Sequence, residues 1–139
     1  MKTEFYNKKA RFDYEIIESL EAGIVLTGEE IKAIRSGRVS MTASYAKIIN
    51  DEVFWLGGNF LGISVPDRTK KLLLNRNQIK RFIGKTQEGG ITLIPLKLYL
   101  KKGKAKIELG LGRGKKKYDK RESLKRKDQE REVARKVKL

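Results

Sequence analysis

Apolar and polar residues alternate along several short segments of this chain. Phe12, Tyr14 and Ile16 occupy every second position, and 23–26 continue apolar, a period that sets one side of a strand against a core. Thr27-Gly28-Glu29-Glu30 breaks the alternation. Thr27 can accept from the Glu30 amide while Glu30 reaches back to the Thr27 amide, the reciprocal pair that opens a helix. Ile31 and Ile34 follow at helical spacing, and Gly37 suits the stop. Residues 45–49 and 53–56 return to the strand pattern, joined at the hairpin signal Asn50-Asp51. Phe54 and Trp55 are neighbours in one strand, so they face opposite sides and one of them enters the core. Leu72-Leu73-Leu74 leads into a second helix: Asn75 caps it, Gln78 completes the cap, Ile79, Phe82 and Ile83 form its apolar stripe, and Gly84 ends it. The last two strands, 91–100 and 104–111, flank a hairpin loop at Lys101-Lys102-Gly103.

The order β, α, β, β, α, β, β, with further short strands near 60–63, predicts a mainly β fold. A small OB-like antiparallel β-barrel with two or three short helices satisfies it, and barrels of that design often bind oligonucleotides. No internal repeat is present.

The alternation stops at Leu111, which divides the chain into a body, 1–111, and a tail, 112–139. The tail holds thirteen basic and five acidic residues, so half of the net charge of +16 lies on 28 of the 139 residues. Its large apolar residues beyond Lys120 are few: Leu124, Val133, Val137 and Leu139. Each yields about 1.5–3 kcal/mol if fully buried, against about 1–2 kcal/mol to order each residue's backbone. The tail is therefore expected to be disordered when free. It also lacks Gly and Pro from Lys115 onward and carries the i,i+4 pairs Glu122–Arg126 and Glu132–Lys136, so it is expected to become helical once phosphates screen its charge. A purely solubilising tail is the alternative.

Charge then narrows the function. A potential this positive draws polyanions: nucleic acid, an anionic membrane or an acidic protein. Histidine and cysteine are both absent, which removes Ser-His and Cys-His nucleophile pairs and the commonest metal ligands. A non-enzymatic protein without metal or cofactor is expected. No run of 18 apolar residues occurs, and Met1-Lys2-Thr3-Glu4-Phe5 lacks the apolar stretch of a secretory signal. A cytoplasmic location and no membrane partner follow as expectations. The tail's scattered apolar residues form no broad stripe for a bilayer.

Four constellations carry candidate chemistry. The first runs from Gly110 to Arg121, where Gly110, Gly112 and Gly114 adjoin Lys115, Lys116, Lys117, Tyr118, Asp119, Lys120 and Arg121. Glycines let backbone approach a partner, lysines neutralise phosphates and Tyr118 offers a ring for a base; because the three coincide, this reading is preferred to a bare linker at Gly112 to Gly114. Their spacing does not match a dinucleotide loop, so no nucleotide cofactor is expected. Lys125 and Arg126 extend the basic tail. The second is Arg68-Thr69-Lys70-Lys71-Leu72-Leu73-Leu74-Asn75, a basic step into a leucine run. Three successive leucines are hard to bury together, so Leu72 and Leu74 are assigned to the core and Leu73 outward, where it could pack on an unstacked base. The third is a basic N-terminal arm, Asn7-Lys8-Lys9-Ala10-Arg11, either phosphate-contacting or a frayed terminus. The fourth is Glu21, an acid on a basic body that either meets a base edge or is merely solvated.

The third and second of these, with Glu21-Ala22-Gly23-Ile24, Gly28-Glu29-Glu30-Ile31-Lys32 and Gly114-Lys115-Lys116-Lys117-Tyr118-Asp119-Lys120-Arg121, occur in an order that resembles the SmpB (SsrA-binding protein) family from about Asn7 to the C-terminus. The resemblance implies an OB-like barrel, no catalysis, and binding to the tRNA-like domain of transfer-messenger RNA, which the protein delivers to stalled ribosomes. It implies that the tail enters the decoding centre and mRNA path. Asn7, Glu21, Leu73 and Lys106 match family RNA-contact positions, and Asp119, Lys120 and Arg121 match the tail motif that acts on the ribosome. Tyr118 stands where many members carry His, which keeps a stacking ring but not a protonatable imidazole. The alternatives to this reading are a generic single-strand or ribosomal RNA binder and, in a different class, a membrane-surface or acidic-protein adaptor.

Overall fold

The computed structural model describes residues 4–115. In chain order these form β1 (Glu4–Tyr6), α1 (Lys8–Asp13), β2 (Tyr14–Ile24), α2 (Gly28–Arg35), β3 (Val39–Ser40), β4 (Tyr45–Ile49), β5 (Glu52–Leu56), β6 (Asn59–Phe60), β7 (Lys70–Leu73), α3 (Arg76–Gln87), β8 (Ile91–Lys101) and β9 (Lys104–Gly114). Seven strands make one antiparallel sheet in the order β1-β8-β9-β2-β7-β5-β4, and β3 pairs with β6 apart from it. The sheet curls until β4 packs back on β8, giving the OB-like barrel. Alternate residues of every strand point inward, and Trp55, Leu72, Leu98, Ile107, Leu109 and Leu111 fill the interior with Phe82 from α3. Phe54 is the partner left half outside.

Both expected helix starts form as capping boxes. The Glu30 amide donates to Thr27 Oγ1 and the Thr27 amide to Glu30 Oε1, while Gln78 and Asn75 exchange the equivalent pair. Two hairpins turn on left-handed residue pairs, Asn50-Asp51 and Lys102-Gly103, the backbone twist that two-residue loops require.

The structure departs from the sequence-based reading in several places. Phe12 lies in a six-residue helix, α1, rather than a strand, because Asn7 accepts from the Ala10 amide and caps a helix there. The short strand β1 pairs with β8, so the N-terminal segment belongs to the sheet. Helix α3 continues past Gly84 to Gln87; this glycine is exposed and its helical backbone needs no special freedom. Finally, β9 runs to Gly114, three residues beyond the expected body, paired with Tyr14, Glu15 and Ile16 of β2.

Two earlier glycines of β9, Gly110 and Gly112, serve packing. A Cβ on Gly110 would lie 2.7 Å from Leu96 Cδ1, and one on Gly112 would lie 2.5 Å from Ile94 Cδ1. Ile94 and Leu96 form, with Ala10 of α1 and the half-buried Tyr14 and Ile16, a second apolar cluster on the outer side of the sheet. Thus α1 covers one end of the outer face and leaves the other end open.

Candidate nucleic-acid interface

Strand register places the open end of that face. Leu73 of β7 lies opposite Gly23 of β2, Gly23 opposite Lys106 of β9, Lys106 opposite Tyr99 of β8, and Tyr99 opposite Glu4 of β1. Side chains in one such row point to one side of the sheet. The next row on the same side is Glu21, Glu108, Lys97 and Tyr6. On the other flank, Lys101 pairs with Lys104, and the Lys71 carbonyl accepts from the Val25 amide. Three residues singled out from separate stretches of sequence, Glu21, Leu73 and Lys106, therefore share one patch, with Lys71 beside them.

Glu21 is not simply solvated. The Tyr99 hydroxyl donates to its carboxylate, and Lys101 Nζ stands 3.6 Å away. The Tyr99 hydrogen bond, opposed by partial burial and aided by Lys101 and Lys106, holds the Glu21 carboxyl below its ordinary range. Burial and the same carboxylate push the Tyr99 hydroxyl far above the ordinary tyrosine range. Tyr99 thus remains a neutral donor with its ring on the sheet. One position along β8, Lys97 Nζ lies 5.0 Å from the Tyr99 ring and 5.2 Å from the Tyr6 ring, and 3.4 Å from Glu4. Leu73 projects from this setting half exposed, at 53%.

Tyr99, Lys97, Tyr6, Lys101 and Lys104 were absent from the sequence-based site. The signal was present in Lys97, Tyr99 and Lys101, which alternate with Leu98 and Leu100 in a recognised strand.

Other candidates lie elsewhere. Asn7 is buried: its amide nitrogen donates to the Pro95 carbonyl (2.9 Å) and its backbone N–H to the Leu96 carbonyl (2.9 Å). Both carbonyls belong to the β8 bulge between Pro95 and Lys97. Asn7 is therefore a buried clamp joining the start of α1 to the β8 bulge, and not part of a frayed arm. Lys8 and Lys9 are exposed on α1, and Arg11 reaches Glu108 at 3.6 Å, on the edge of the patch.

Lys70 is also an internal residue. Its ammonium lies over the Phe60 ring (4.3 Å) and the Trp55 ring (5.4 Å), donates to the Arg68 carbonyl (2.6 Å), and stands 3.4 Å from Glu30. Burial, only partly offset by Glu30, lowers its pKa. Arg68 donates to Glu30 at 2.7 and 3.2 Å and to the Val25 carbonyl at 2.9 Å. Burial disfavours the Glu30 carboxylate, but hydrogen bonds from Arg68 and the Thr27 amide and the nearby cations outweigh it, so its pKa is lowered. This cluster ties the start of α2 to the segment before β7, and Lys71 alone of the adjacent lysines faces outward, 3.0 Å from Glu52.

Lys115 is the last described residue, and its backbone N–H donates to the Asp13 carbonyl. The remaining tail candidates, Lys116, Lys117, Tyr118, Asp119, Lys120, Arg121, Lys125 and Arg126, lie outside the described residues, as does the expected change of the tail from disorder to helix. Among the described residues no helix is long and apolar enough to cross a membrane, and no three acidic or other ligating side chains gather as a metal site.

Comparison with known proteins gives a consistent answer. The family model described as SmpB protein matches residues 4–139. An SsrA-binding protein of Syntrophobacter fumaroxidans is 53% identical over 139 residues, covering 93% of this chain and 84% of that protein. One of Geobacillus thermodenitrificans is 54% identical over 137 residues, covering 93% and 88%. A solved structure described as "tmRNA-SmpB: a journey to the center of the bacterial ribosome" superposes with a TM-score of 0.66 at 38% identity, covering 88% of this chain and 95% of that one.

Proposed function

This chain belongs to the SmpB family, and from that premise we propose that it binds the tRNA-like domain of transfer-messenger RNA and delivers it to stalled ribosomes for trans-translation. The observation that carries the reading is the shared patch of Leu73, Glu21 and Lys106, with Tyr99 beside Lys106 and hydrogen-bonded to Glu21. It combines an exposed apolar side chain, an oriented carboxylate that accepts from a base or ribose, and lysines for phosphate. That mixture suits a folded RNA with unstacked bases better than a uniform duplex backbone. Lys71, Arg11, Lys8 and Lys9 supply phosphate contacts around it. Asn7, Lys70 and Arg68 support the interface from beneath by fixing the bulge and the approach to β7.

The basic tail, with Lys115 to Arg121, Lys125 and Arg126, engages ribosomal RNA in the decoding centre and mRNA path. The work is binding alone, without catalysis, and its setting is the cytoplasm where ribosomes act.

The test is competition binding at moderate salt against mixed-sequence single-stranded RNA. It compares the full chain with one ending after Lys115, which keeps all of β9. Strong preference of both for the tRNA-like domain, with ribosome delivery lost only on truncation, supports the proposal. No preference in either leaves a basic barrel that binds RNA without selecting it and overturns the proposal.

A further inference from the structure

Beside the patch, on the other side of β7, lies a groove of about 810 Å³ bounded by the β4–β5 turn, β7 and α3. We propose that it receives a single unstacked nucleotide of the bound RNA, base inward and phosphates along α3. The inference rests on the RNA-binding reading and assigns it a second subsite.

Three features select that occupant. The first is the wall. Leu73, Leu74, Ile79 and Ile83 line the groove, and Ile79 and Leu74 rest on the barrel core behind it. Aliphatic walls accept the apolar face of an unstacked base by burying it from water. The volume falls within the range of small-molecule sites, large enough for one nucleotide.

The second is charge. Arg76 and Lys80 are exposed on α3 at the groove, and among the described residues neither has an acidic partner. They are one helical turn apart, so they present two cations side by side. The opposite rim is acidic and polar: Asn50, Asp51 and Glu52, with Glu52 paired to Lys71. A continuous duplex backbone would be repelled by that rim. A single nucleotide is not, because its base carries amino and imino donors toward Asn50 and Asp51 while its phosphates meet Arg76 and Lys80. Both rim residues sit at left-handed backbone angles, φ 50° and 61°, in a tight turn.

The third is continuity. Leu73 lines the groove and also heads the row that runs through Lys106 to Tyr99 and Glu4, so an RNA strand on the patch reaches the groove without crossing a gap.

The experiment uses the full chain and the tRNA-like domain, with nucleotide-resolution chemical footprinting and affinity measured together. Arg76→Glu with Lys80→Glu reverses two exposed charges and leaves the core untouched. Asn50→Ala and Asp51→Gly each alter the rim. The expected result is a fivefold to twentyfold loss of affinity for the charge variant. One short run of nucleotides should lose protection in all three, and the remainder should keep its protection. Ordinary thermal unfolding confirms that each variant folds. Unchanged footprints in all three, alongside weakened binding by Lys106→Ala, overturn the groove while leaving the patch intact. Unchanged footprints with impaired association to ribosomes give the groove to the ribosome instead of the tRNA-like domain and overturn it likewise. If the wild-type chain shows no preference for the tRNA-like domain, both proposals fall.

Discussion

Leu73 stands directly across from Gly23, close enough that a Cβ on the glycine would lie 3.3 Å from the leucine Cβ. The missing side chain gives Leu73 a flat seat on the sheet while its far end remains exposed. Leu73→Ala should therefore cost little stability, since an exposed side chain contributes within about 0.5 kcal/mol. It should weaken binding of the tRNA-like domain about fivefold to tenfold, as loss of part of an interfacial leucine implies. Filter binding together with thermal melting separates the two effects. A large fall in melting temperature with unchanged affinity would make Leu73 a structural residue.

Tyr99 holds Glu21 by its hydroxyl, so Tyr99→Phe isolates orientation from stacking. The ring stays beside Lys97, and the carboxylate loses its principal hydrogen bond. Its pKa should rise toward the ordinary value, measurable by NMR titration of the side chain. Affinity for RNA should fall about threefold to tenfold, the scale of one lost oriented hydrogen bond. Equal affinity would mean that Glu21 needs no positioning.

Lys106 lies between Gly23 and Tyr99 on the face. Lys106→Ala should weaken binding and lower the slope of log affinity against log salt by about one at most, as for a single phosphate contact. Affinities at several salt concentrations decide it. An unchanged slope and affinity would remove Lys106 from the interface.

Glu30 links acidity to folding. Its pKa is below the ordinary 4.5 in the folded chain, so the unfolded chain binds the proton more readily. The stabilisation from its ionised form is present above the ordinary value of 4.5 and is lost as pH falls through the folded value. Glu30→Gln leaves the ammonium of Lys70 buried without its counter-charge, and should cost about 3 kcal/mol near neutrality. Denaturant melts at pH 7 and at pH 3 should show the gap between wild type and variant narrowing in acid. A gap independent of pH would remove the charge from the argument.

Gly58 is tested by volume alone. A Cβ there would lie 2.4 Å from Cζ2 of Trp55, a rigid ring that is almost wholly buried. Gly58→Ala should destabilise by about 1–3 kcal/mol through overpacking, with RNA affinity of the folded fraction preserved. Urea melts measure it, and a neutral result would mean that the indole can move.

Much of this protein was fixed by local sequence. Thr27 and Glu30, and Asn75 and Gln78, start their helices through contacts only three residues apart, and Asn50-Asp51 and Lys102-Gly103 turn their hairpins by backbone preference alone. Alternation put one of Phe54 and Trp55 inside without saying which, and three leucines in a row set Leu72 and Leu74 against the core and the middle one outward. The charge count pointed to a polyanion, and the ordered motifs pointed to the family. Tertiary structure decided the rest, because it depends on residues distant along the chain. Asn7 reads locally as part of a basic arm, yet Pro95 and Leu96 across the sheet draw it inside. Lys70 and Lys71 are neighbours in sequence, and only the positions of Glu30, Trp55 and Phe60 bury one of them while leaving the other outside. Gly110 and Gly112 read locally as backbone free to approach a partner, yet Leu96 and Ile94 pack over them. Above all, the row from Leu73 through Gly23 and Lys106 to Tyr99 exists only in the register of four strands, which no local pattern of hydrophobic and polar residues encodes.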